Sequence, residues 1–238
     1  METITQRLEQ IQERIITACQ RVGRSPQEIQ LMAVSKRKPA QAIEEALQAG
    51  HLLFGENRVQ EAREKLPAVQ IPAEATPQWH LIGPLQKNKV KYIGGLFHMV
   101  QTVDTLELAE AIDKRMGQEQ RNMPILLQVN VGGEVQKSGM APDDLEAVVT
   151  AIAPLQGVTV KGLMTVPPFA EDPEQVRPYF RALRTLATHV KQMRLPGVHM
   201  DELSMGMSHD FHVAIEEGAT MVRVGSALFG AREPLSSD

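Results

Sequence analysis

The run Leu31-Met32-Ala33-Val34-Ser35-Lys36 is the first of eight apolar runs that decide the fold of this chain. Its apolar residues lead to a lysine, and Pro39 and a helical pattern follow, which is typical of a buried strand that carries one amine to its end. A lysine partly removed from water loses proton affinity, and its amine can then form an imine with an aldehyde. Most lysines are exposed, so a strand-end lysine that turns to solvent is the alternative.

Seven further strands are predicted after this one, and helical patterns separate most of them. Their predicted ranges are 51–55, 79–83, 97–103, 123–131, 158–164, 199–204 and 220–225. An amphipathic pattern over residues 3–22 predicts one extra helix before the first strand. Eight strands alternating with helices, without a composition break, favour one closed (β/α)8 barrel over residues 1–238, with 233–238 as a frayed tail. A doubly wound open sheet is the weaker alternative, since no GxGxxG or P-loop pattern follows the first strand.

Composition excludes several classes of function. Of the 238 residues 42% are hydrophobic, enough for a full core, and the net charge of −4 gives no general attraction to nucleic acid or anionic membranes. Cys19 is the only cysteine, which excludes an intrachain disulfide and a multi-cysteine metal site. The sequence contains no signal-peptide core and no apolar run of the roughly 18–20 residues that a membrane span needs. We therefore expect a soluble, cytoplasmic protein.

Two turns near the end of the chain have the composition of anion-binding sites. The first follows strand seven and runs from Ser204 to Asp210, where Ser208 is predicted to cap a helix whose free N–H groups face an anion. The second follows strand eight, where Gly225-Ser226 brings backbone amides close to a phosphate. In α/β barrels phosphate is often bound after strands seven and eight, so the pair favours a phosphate site.

Arg223 is the one charged residue in the otherwise apolar eighth strand. Barrel strands are packed on both faces, so a buried guanidinium needs a partner. The sequence leaves two partners open. One is a structural ion pair with Asp201, Glu202 or Asp210, and the other is a bound ligand.

A closed barrel places Lys36 beside strand eight. An amine next to two phosphate-binding turns is the arrangement that pyridoxal 5′-phosphate (PLP) requires, with an imine at one end and a phosphate at the other. Beyond Ala33-Val34-Ser35-Lys36, further motifs occur in order along nearly the entire chain: Phe54-Gly55-Glu56-Asn57 with Gln60-Glu61, Trp79-His80 through Lys89, Gly162-Leu163-Met164, Ser204 through Ser208 with Asp210 and Ala214-Ile215, and Arg223 through Gly230. Together they resemble the YggS/PROSC family of PLP homeostasis (PLP-binding) proteins.

The resemblance implies a single TIM barrel of the alanine racemase N-terminal type with PLP as its cofactor. The contacts it implies are a Schiff base on Lys36, phosphate contacts from Ser208, Gly225 and Ser226, a ring-nitrogen contact from Arg223, and pocket-lining positions at Asn57 and Ser204. Ser226 stands where the family frequently has threonine, but serine keeps the hydroxyl.

The same residues favour a carrier over an enzyme. An arginine at the ring nitrogen disfavours the protonated pyridinium that most PLP enzymes use. Related racemases also need a tyrosine from an additional domain, whereas this chain ends soon after strand eight and its tyrosines, Tyr92 and Tyr179, fall in helical patterns. We expect a monomer that buffers PLP or delivers it to apo-enzymes in vitamin B6 homeostasis, without robust turnover. The alternatives are a racemase-like PLP enzyme and a Schiff-base aldolase that uses Lys161 in strand six.

Three weaker candidates complete the analysis. His209, His212 and Glu216 have helical spacing that could hold a metal, but no cysteine supports them and we predict no metal site. Lys137 could accept PLP transiently at the barrel mouth. A small basic patch, either a solvated helix face or a contact for an acidic partner, consists of Lys87, Lys89 and Lys91.

Overall fold

A computed structural model of the chain describes residues 2–134 and 138–230. Within these ranges eight parallel strands close into a barrel, and β1 pairs with both β2 and β8. The strands are β1 Gln30–Val34, β2 Leu53–Glu56, β3 Gln78–Leu81, β4 Met99–Val103, β5 Met123–Gln128, β6 Val158–Met164, β7 Val198–Met207 and β8 Met221–Val224. Closure confirms the predicted (β/α)8 barrel and excludes the open sheet, in which β1 and β8 could not pair this way. Lys137 and the predicted tail 233–238 lie outside the described residues.

Helices surround the barrel in the predicted order. They are α1 Ile4–Arg21, α2 Ala40–Gln48, α3 Val59–Lys65, α4 Leu106–Gln118, α5 Leu145–Ile152, α6 Arg177–Met193, α7 Phe211–Glu216 and α8 Ser226–Phe229. The extra N-terminal helix α1 begins with a capping box at Thr3 and packs against α7 and α8. The segment predicted as a helix after β3 forms a 3₁₀ helix, Lys87–Tyr92. No helix in the described ranges is long and apolar enough to cross a membrane.

Two hydrophobic clusters divide the core. The large one includes residues of both helices and strands, so it fills the layer between the sheet and the helices. A small separate cluster joins Met99 of β4, Leu126 of β5 and Met164 of β6. Because it contains strand residues only, we place it inside the barrel, where side chains stack in layers. Strand residues also bury polar groups, and these belong to the site described below.

Strand β7 is longer than the sequence predicts. It was expected to end at Ser204, but it continues through Met207. Gly206 lies inside it with φ of +91°, and a Cβ there would come within 2.6 Å of the Ala214 Cβ and 2.9 Å of the Phe211 Cα. This glycine therefore serves close packing of α7 on β7 as well as a left-handed backbone.

Candidate functional site

Lys36 lies two residues after the end of β1, at the carboxyl-end rim of the barrel. A cavity of about 110 Å³ there is lined by Lys36, Arg37, Asn57, Arg58 and Glu61. The structure thus brings the predicted residues Lys36 and Asn57 together, from the ends of β1 and β2. The predicted residues of the other strands do not line this cavity, so it forms only one side of the mouth.

The backbone of Asn57 is in close contact with the segment that follows β3. A Cβ on Gly83, which follows β3, would come within 2.1 Å of the Asn57 carbonyl oxygen. Glycine at position 83 therefore lets the chain after β3 pack directly on the Asn57 backbone. Thr102 secures this glycine from β4, since its hydroxyl donates to the Gly83 carbonyl at 2.8 Å.

A buried charged group lies beneath the Lys36 edge. The Lys65 ammonium of α3 donates to Oε1 of Glu56 at 2.8 Å, to Oε1 of Glu61 at 2.9 Å and to the Ser35 carbonyl at 2.8 Å. The Ser35 hydroxyl also donates to Oε1 of Glu56, at 2.6 Å. We call Ser35, Glu56, Glu61 and Lys65 the rim clamp. Glu56 and Glu61 occur in the family motifs, but the sequence analysis gave them no role, and Lys65 was missed because its partners are set by the fold.

The two carboxylates of the rim clamp differ in electrostatics. Burial raises the pKa of Glu56, and the nearby Lys65 ammonium opposes that shift only in part. Oε2 of Glu56 is buried without a hydrogen-bond partner. Burial also acts to raise the pKa of Glu61, but the hydrogen bonds from Lys65 and from the Arg37 N–H outweigh it and leave that pKa lowered. Glu61 is therefore the more firmly ionised of the two.

The predicted phosphate turns meet on the other side of the mouth. The Ser208 hydroxyl oxygen accepts from the Gly225 N–H at 3.2 Å and from the Ala227 N–H at 3.4 Å. Ser226 is exposed and begins α8. Ser208 and Gly225 are thus brought together as predicted. The Ser208 hydroxyl accepts from both of these N–H groups and keeps its own hydrogen to donate, and hydroxyls and turn N–H groups are the donor types that a phosphate group takes.

The prediction that Ser208 caps a helix is wrong. The N-cap residue of α7 is Asp210, and its carboxylate accepts from the Met207 N–H at 2.6 Å instead of capping α7 with its side chain. The N-cap Asp210 lies two residues after Ser208, so Ser208 is not at the start of α7. Its hydroxyl joins the turn after β8, which is a contact between distant segments that a local capping pattern does not indicate.

Arg223 is held inside the barrel by neutral acceptors. It is 4% exposed, and its guanidinium donates to the Ser204 hydroxyl at 2.7 Å and to the Thr165 carbonyl at 2.7 Å. In the described part of the chain it forms no ion pair, so the proposed structural pairing with Asp201, Glu202 or Asp210 is wrong. Burial lowers the pKa of Arg223 to about 10, and only the field of Asp210 acts against this shift.

Two further buried polar residues continue inward from Ser204. The Ser204 hydroxyl donates to Oε1 of Gln101 at 2.7 Å, and Nε2 of Gln101 lies 3.0 Å from Nδ1 of His80. Burial lowers the pKa of His80 to about 4, so its ring is neutral near pH 7 and Nδ1 accepts the amide proton. We call His80, Gln101, Ser204 and Arg223 the interior chain. Gln101 was not predicted as a site residue, since no local sequence pattern indicates its role.

The two sides of the mouth are adjacent through the pairing of β1 with β8. Ala33 pairs with Val224, and a Cβ on Gly225 would lie 3.5 Å from the Val34 Cβ. An amine, a group of N–H and hydroxyl donors, and a buried guanidinium therefore belong to neighbouring strand ends. This donor set fits a group that carries both an aldehyde and a phosphate, as PLP does.

Lys161 lies away from the strand ends. In the pairing of β5 with β6, the consecutive residues Ile125 and Leu126 pair with Val160 and Gly162, so Lys161 is omitted from the register. The pairing of β6 with β7 omits Lys161 as well. A bulge residue within a strand does not reach the carboxyl-end rim where barrel chemistry gathers. It also does not line the rim cavity.

The remaining candidates occupy separate places on the surface. Nε2 of His209 lies 2.9 Å from the Glu171 carbonyl, and His212 lines a second cavity against α1. Within residues 2–134 and 138–230, no group of three or more His, Cys, Asp or Glu side chains could hold a metal ion. The lysine patch falls on the 3₁₀ helix after β3, where Lys87 and Lys91 are exposed and Lys89 is half-buried.

Comparison with known proteins gives consistent matches over nearly the whole chain. Residues 7–233 match the family described as "Alanine racemase, N-terminal domain". The Pyridoxal phosphate homeostasis protein of Aquifex aeolicus is 45% identical over 228 residues, which cover 96% of this chain and 98% of that protein. The protein of the same name from Escherichia coli is 40% identical over 233 residues, 98% of each chain.

Solved structures agree with these matches. PipY of Synechococcus elongatus, solved with PLP bound, has a TM-score of 0.80 and 39% identity, and the match covers 92% of this chain and 100% of that one. An alanine racemase of Clostridium difficile has a TM-score of 0.68 at 14% identity, covering 94% of this chain and 57% of that one. The second likeness is one of fold alone.

Proposed function

Because the chain belongs to the YggS/PROSC family of pyridoxal phosphate homeostasis proteins, we propose that it holds PLP as a Schiff base on Lys36 and acts as an intracellular buffer or carrier of that cofactor. The observation that carries the proposal is that Lys36 follows β1, which pairs with β8, and that Ser208 and Gly225 of the turns after β7 and β8 are hydrogen-bonded to each other. The cofactor supplies an aldehyde. Lys36 would hold the cofactor through its amine, which would condense with that aldehyde with loss of water.

The other predicted site residues receive roles in this proposal. The phosphate is bound by Ser208 and by the turn residues Gly225 and Ser226, whose N–H and hydroxyl groups suit an anion. Arg223 faces the ring nitrogen and is oriented by Ser204 through a 2.7 Å hydrogen bond. Asn57 lines the Lys36 side of the site.

Two observations favour a carrier over a racemase-like enzyme. Arg223 stays a cation at neutral pH although burial lowers its pKa to about 10, so it donates to the ring nitrogen and disfavours ring protonation. Both tyrosines lie away from the strand ends. Tyr92 lies in a 3₁₀ helix with the Arg63 guanidinium 3.9 Å from its ring centre, and Tyr179 lies in α6. We therefore propose little or no amino-acid turnover.

The proposal has three further parts, which are also predicted from the sequence. The protein works as a single domain and as a monomer, it works in the cytoplasm, and it gives PLP to apo-enzymes. The aldolase alternative is weaker, because Lys161 is a bulge residue within β6.

The visible absorbance spectrum tests the anchor. After addition of PLP, the purified protein is expected to show an imine band, which a Lys36→Ala variant lacks and a Lys161→Ala variant retains. Equal bands in the parent protein and the Lys36→Ala variant would contradict the proposal. A small aldehyde substrate trapped on Lys161 by borohydride would favour the aldolase alternative.

A transfer assay tests the carrier role. The PLP-loaded protein, freed of unbound cofactor, is mixed with a PLP-dependent apo-enzyme, and the recovered activity is followed over time. We expect reactivation by the loaded protein, and no racemisation of amino acids by the protein itself. Racemisation that disappears in the Lys36→Ala variant would show instead that the protein is an enzyme.

A further inference from the structure

We propose that Glu61 and Lys65 of α3 are positioning residues for Lys36. They hold the backbone on both sides of that lysine and so set the place from which its amine reacts. The role of Lys36 as the PLP lysine rests on the proposed function, whereas the contacts of the rim clamp are independent of it.

The residue before Lys36 is fixed from two directions. The Ser35 carbonyl accepts from the Lys65 ammonium at 2.8 Å, and the Ser35 hydroxyl donates to Glu56 at 2.6 Å. Ser35 and Glu56 are both 0% exposed. Buried hydrogen bonds to charged groups are the stronger kind, so this side of Lys36 is held firmly.

The residue after Lys36 is held in an unfavourable conformation. Arg37 has φ of +59°, a left-handed backbone that an arginine adopts only when its surroundings impose it. Its N–H donates to Oε1 of Glu61 at 2.5 Å. That same oxygen accepts from Lys65 at 2.9 Å, so Glu61 joins the left-handed turn to the buried part of the rim clamp.

The sequence places both positioning residues on one helix face. Glu61 and Lys65 are four apart in α3, a spacing that brings their side chains together. Helix α3 follows β2, which ends in Glu56, and β2 pairs with β1. The strand that delivers Lys36 is thus braced by the next β–α unit, and the turn between Ser35 and Lys38 is closed by a 3.0 Å backbone hydrogen bond.

A set of Glu61 variants tests the proposal with a matched control. Glu61→Ala removes the acceptor for the Arg37 N–H, whereas Glu61→Gln removes the charge and keeps an acceptor oxygen. Glu64→Ala makes the same change on the same helix, at a residue whose hydrogen bond is to Gln60 at 2.7 Å. Lys65 is left in place, since its removal would strand Glu56 as a buried carboxylate without a counter-charge.

The first measurement is the rate at which added PLP forms the imine band. We expect Glu61→Ala to slow it about tenfold, the effect of losing one hydrogen bond, while Glu61→Gln and Glu64→Ala stay within about twofold of the parent. A purely structural role would lower the melting temperature of Glu61→Ala without this difference from Glu61→Gln. Equal rates in the alanine and glutamine variants would overturn the proposal.

The second measurement needs no cofactor. Amide hydrogen exchange of the PLP-free protein is followed at Arg37, and exchange about tenfold faster is expected in Glu61→Ala but not in Glu61→Gln or Glu64→Ala. An unchanged Arg37 amide in Glu61→Ala would overturn the proposal. If the exchange result holds but the parent protein forms no imine, the proposed function fails and the rim clamp stands as a structural brace.

Discussion

Two arginines of this barrel, Arg223 in the interior chain and Arg177 outside the sheet, have different kinds of hydrogen-bond partners. In the interior chain, the Arg223 cation meets only neutral oxygens, and burial lowers its pKa. Outside the sheet, Arg177 of α6 donates to Glu174 and Glu216 at 2.6 Å and to Glu217 at 3.2 Å. These hydrogen bonds raise the pKa of Arg177, and the one to Glu174 has the largest effect.

The difference distinguishes a cation that is paired within the fold from one that meets only neutral acceptors. We call Arg177, Arg181, Glu216 and Glu217 the α6–α7 network, in which each charge has an opposite partner. Such a network joins helices and needs no ligand to explain it. A buried guanidinium without a carboxylate is costly for the fold alone, so we expect a ligand to supply the missing contact at the interior chain.

Replacing Arg223 is expected to give the largest effect. In Arg223→Met the dissociation constant for PLP should rise by up to about 100-fold, because a charged hydrogen bond to the ring contributes about 1.5–3 kcal/mol. The free energy of unfolding of the PLP-free protein should change by only about 1 kcal/mol, since removing a buried charge offsets the lost hydrogen bonds. Titration with PLP and urea unfolding measure the two effects. Unchanged affinity together with a large loss of stability would make Arg223 structural.

His80 predicts a pH dependence that the α6–α7 network does not share. Its pKa is about 4 in the folded protein and 6.5 in the unfolded chain, so the unfolded state takes up the proton first as the pH falls. The stability from this group is complete above pH 6.5 and is lost toward pH 4, amounting to about 2 kcal/mol between pH 7 and pH 5. Urea unfolding at pH 7, 6 and 5 should show a shallower loss in His80→Gln. Parallel pH curves for the two proteins would contradict this origin.

The Arg177→Met variant should show the reverse of Arg223→Met. We expect the free energy of unfolding to fall by about 1 kcal/mol, a modest amount because the network is partly exposed and Arg181 and Arg184 still pair with Glu217. The affinity for PLP should not change. A loss of PLP affinity comparable to that of Arg223→Met would contradict the distinction between the interior chain and the α6–α7 network.

The Ser208→Ala variant removes a neutral hydroxyl from the proposed phosphate contacts. We expect the dissociation constant for PLP to rise about fivefold, in keeping with one neutral hydrogen bond. Inorganic phosphate should compete with PLP less well in this variant than in the parent protein. If phosphate competes equally in both, the Ser208 hydroxyl does not contact the phosphate.

Much of the fold could be predicted because its signals are local. Apolar runs, helix-period patterns and the glycines between them give the strand order, and closure follows from the count of eight. Lys36, Gly225 and Arg223 were found as strand-end or misfit residues. These are features of short segments, which a sequence displays directly.

The missed features are long-range contacts. Ser204 and Gln101 are 103 residues apart, and Lys65 bonds to the carbonyl of Ser35, 30 residues away. No local pattern indicates such pairs. The Ser208 error has the same cause, because a capping pattern was present but the hydroxyl had a better-placed partner in the turn after β8.

Mapping of the covalent attachment shows which lysine of the protein carries PLP. The PLP-loaded protein is reduced with borohydride, digested, and analysed by mass spectrometry with site-determining fragmentation. We expect a reduced PLP adduct on Lys36 as the dominant product. An unmodified Lys36 with the adduct on Lys161 or spread over surface lysines such as Lys87 and Lys91 would contradict it.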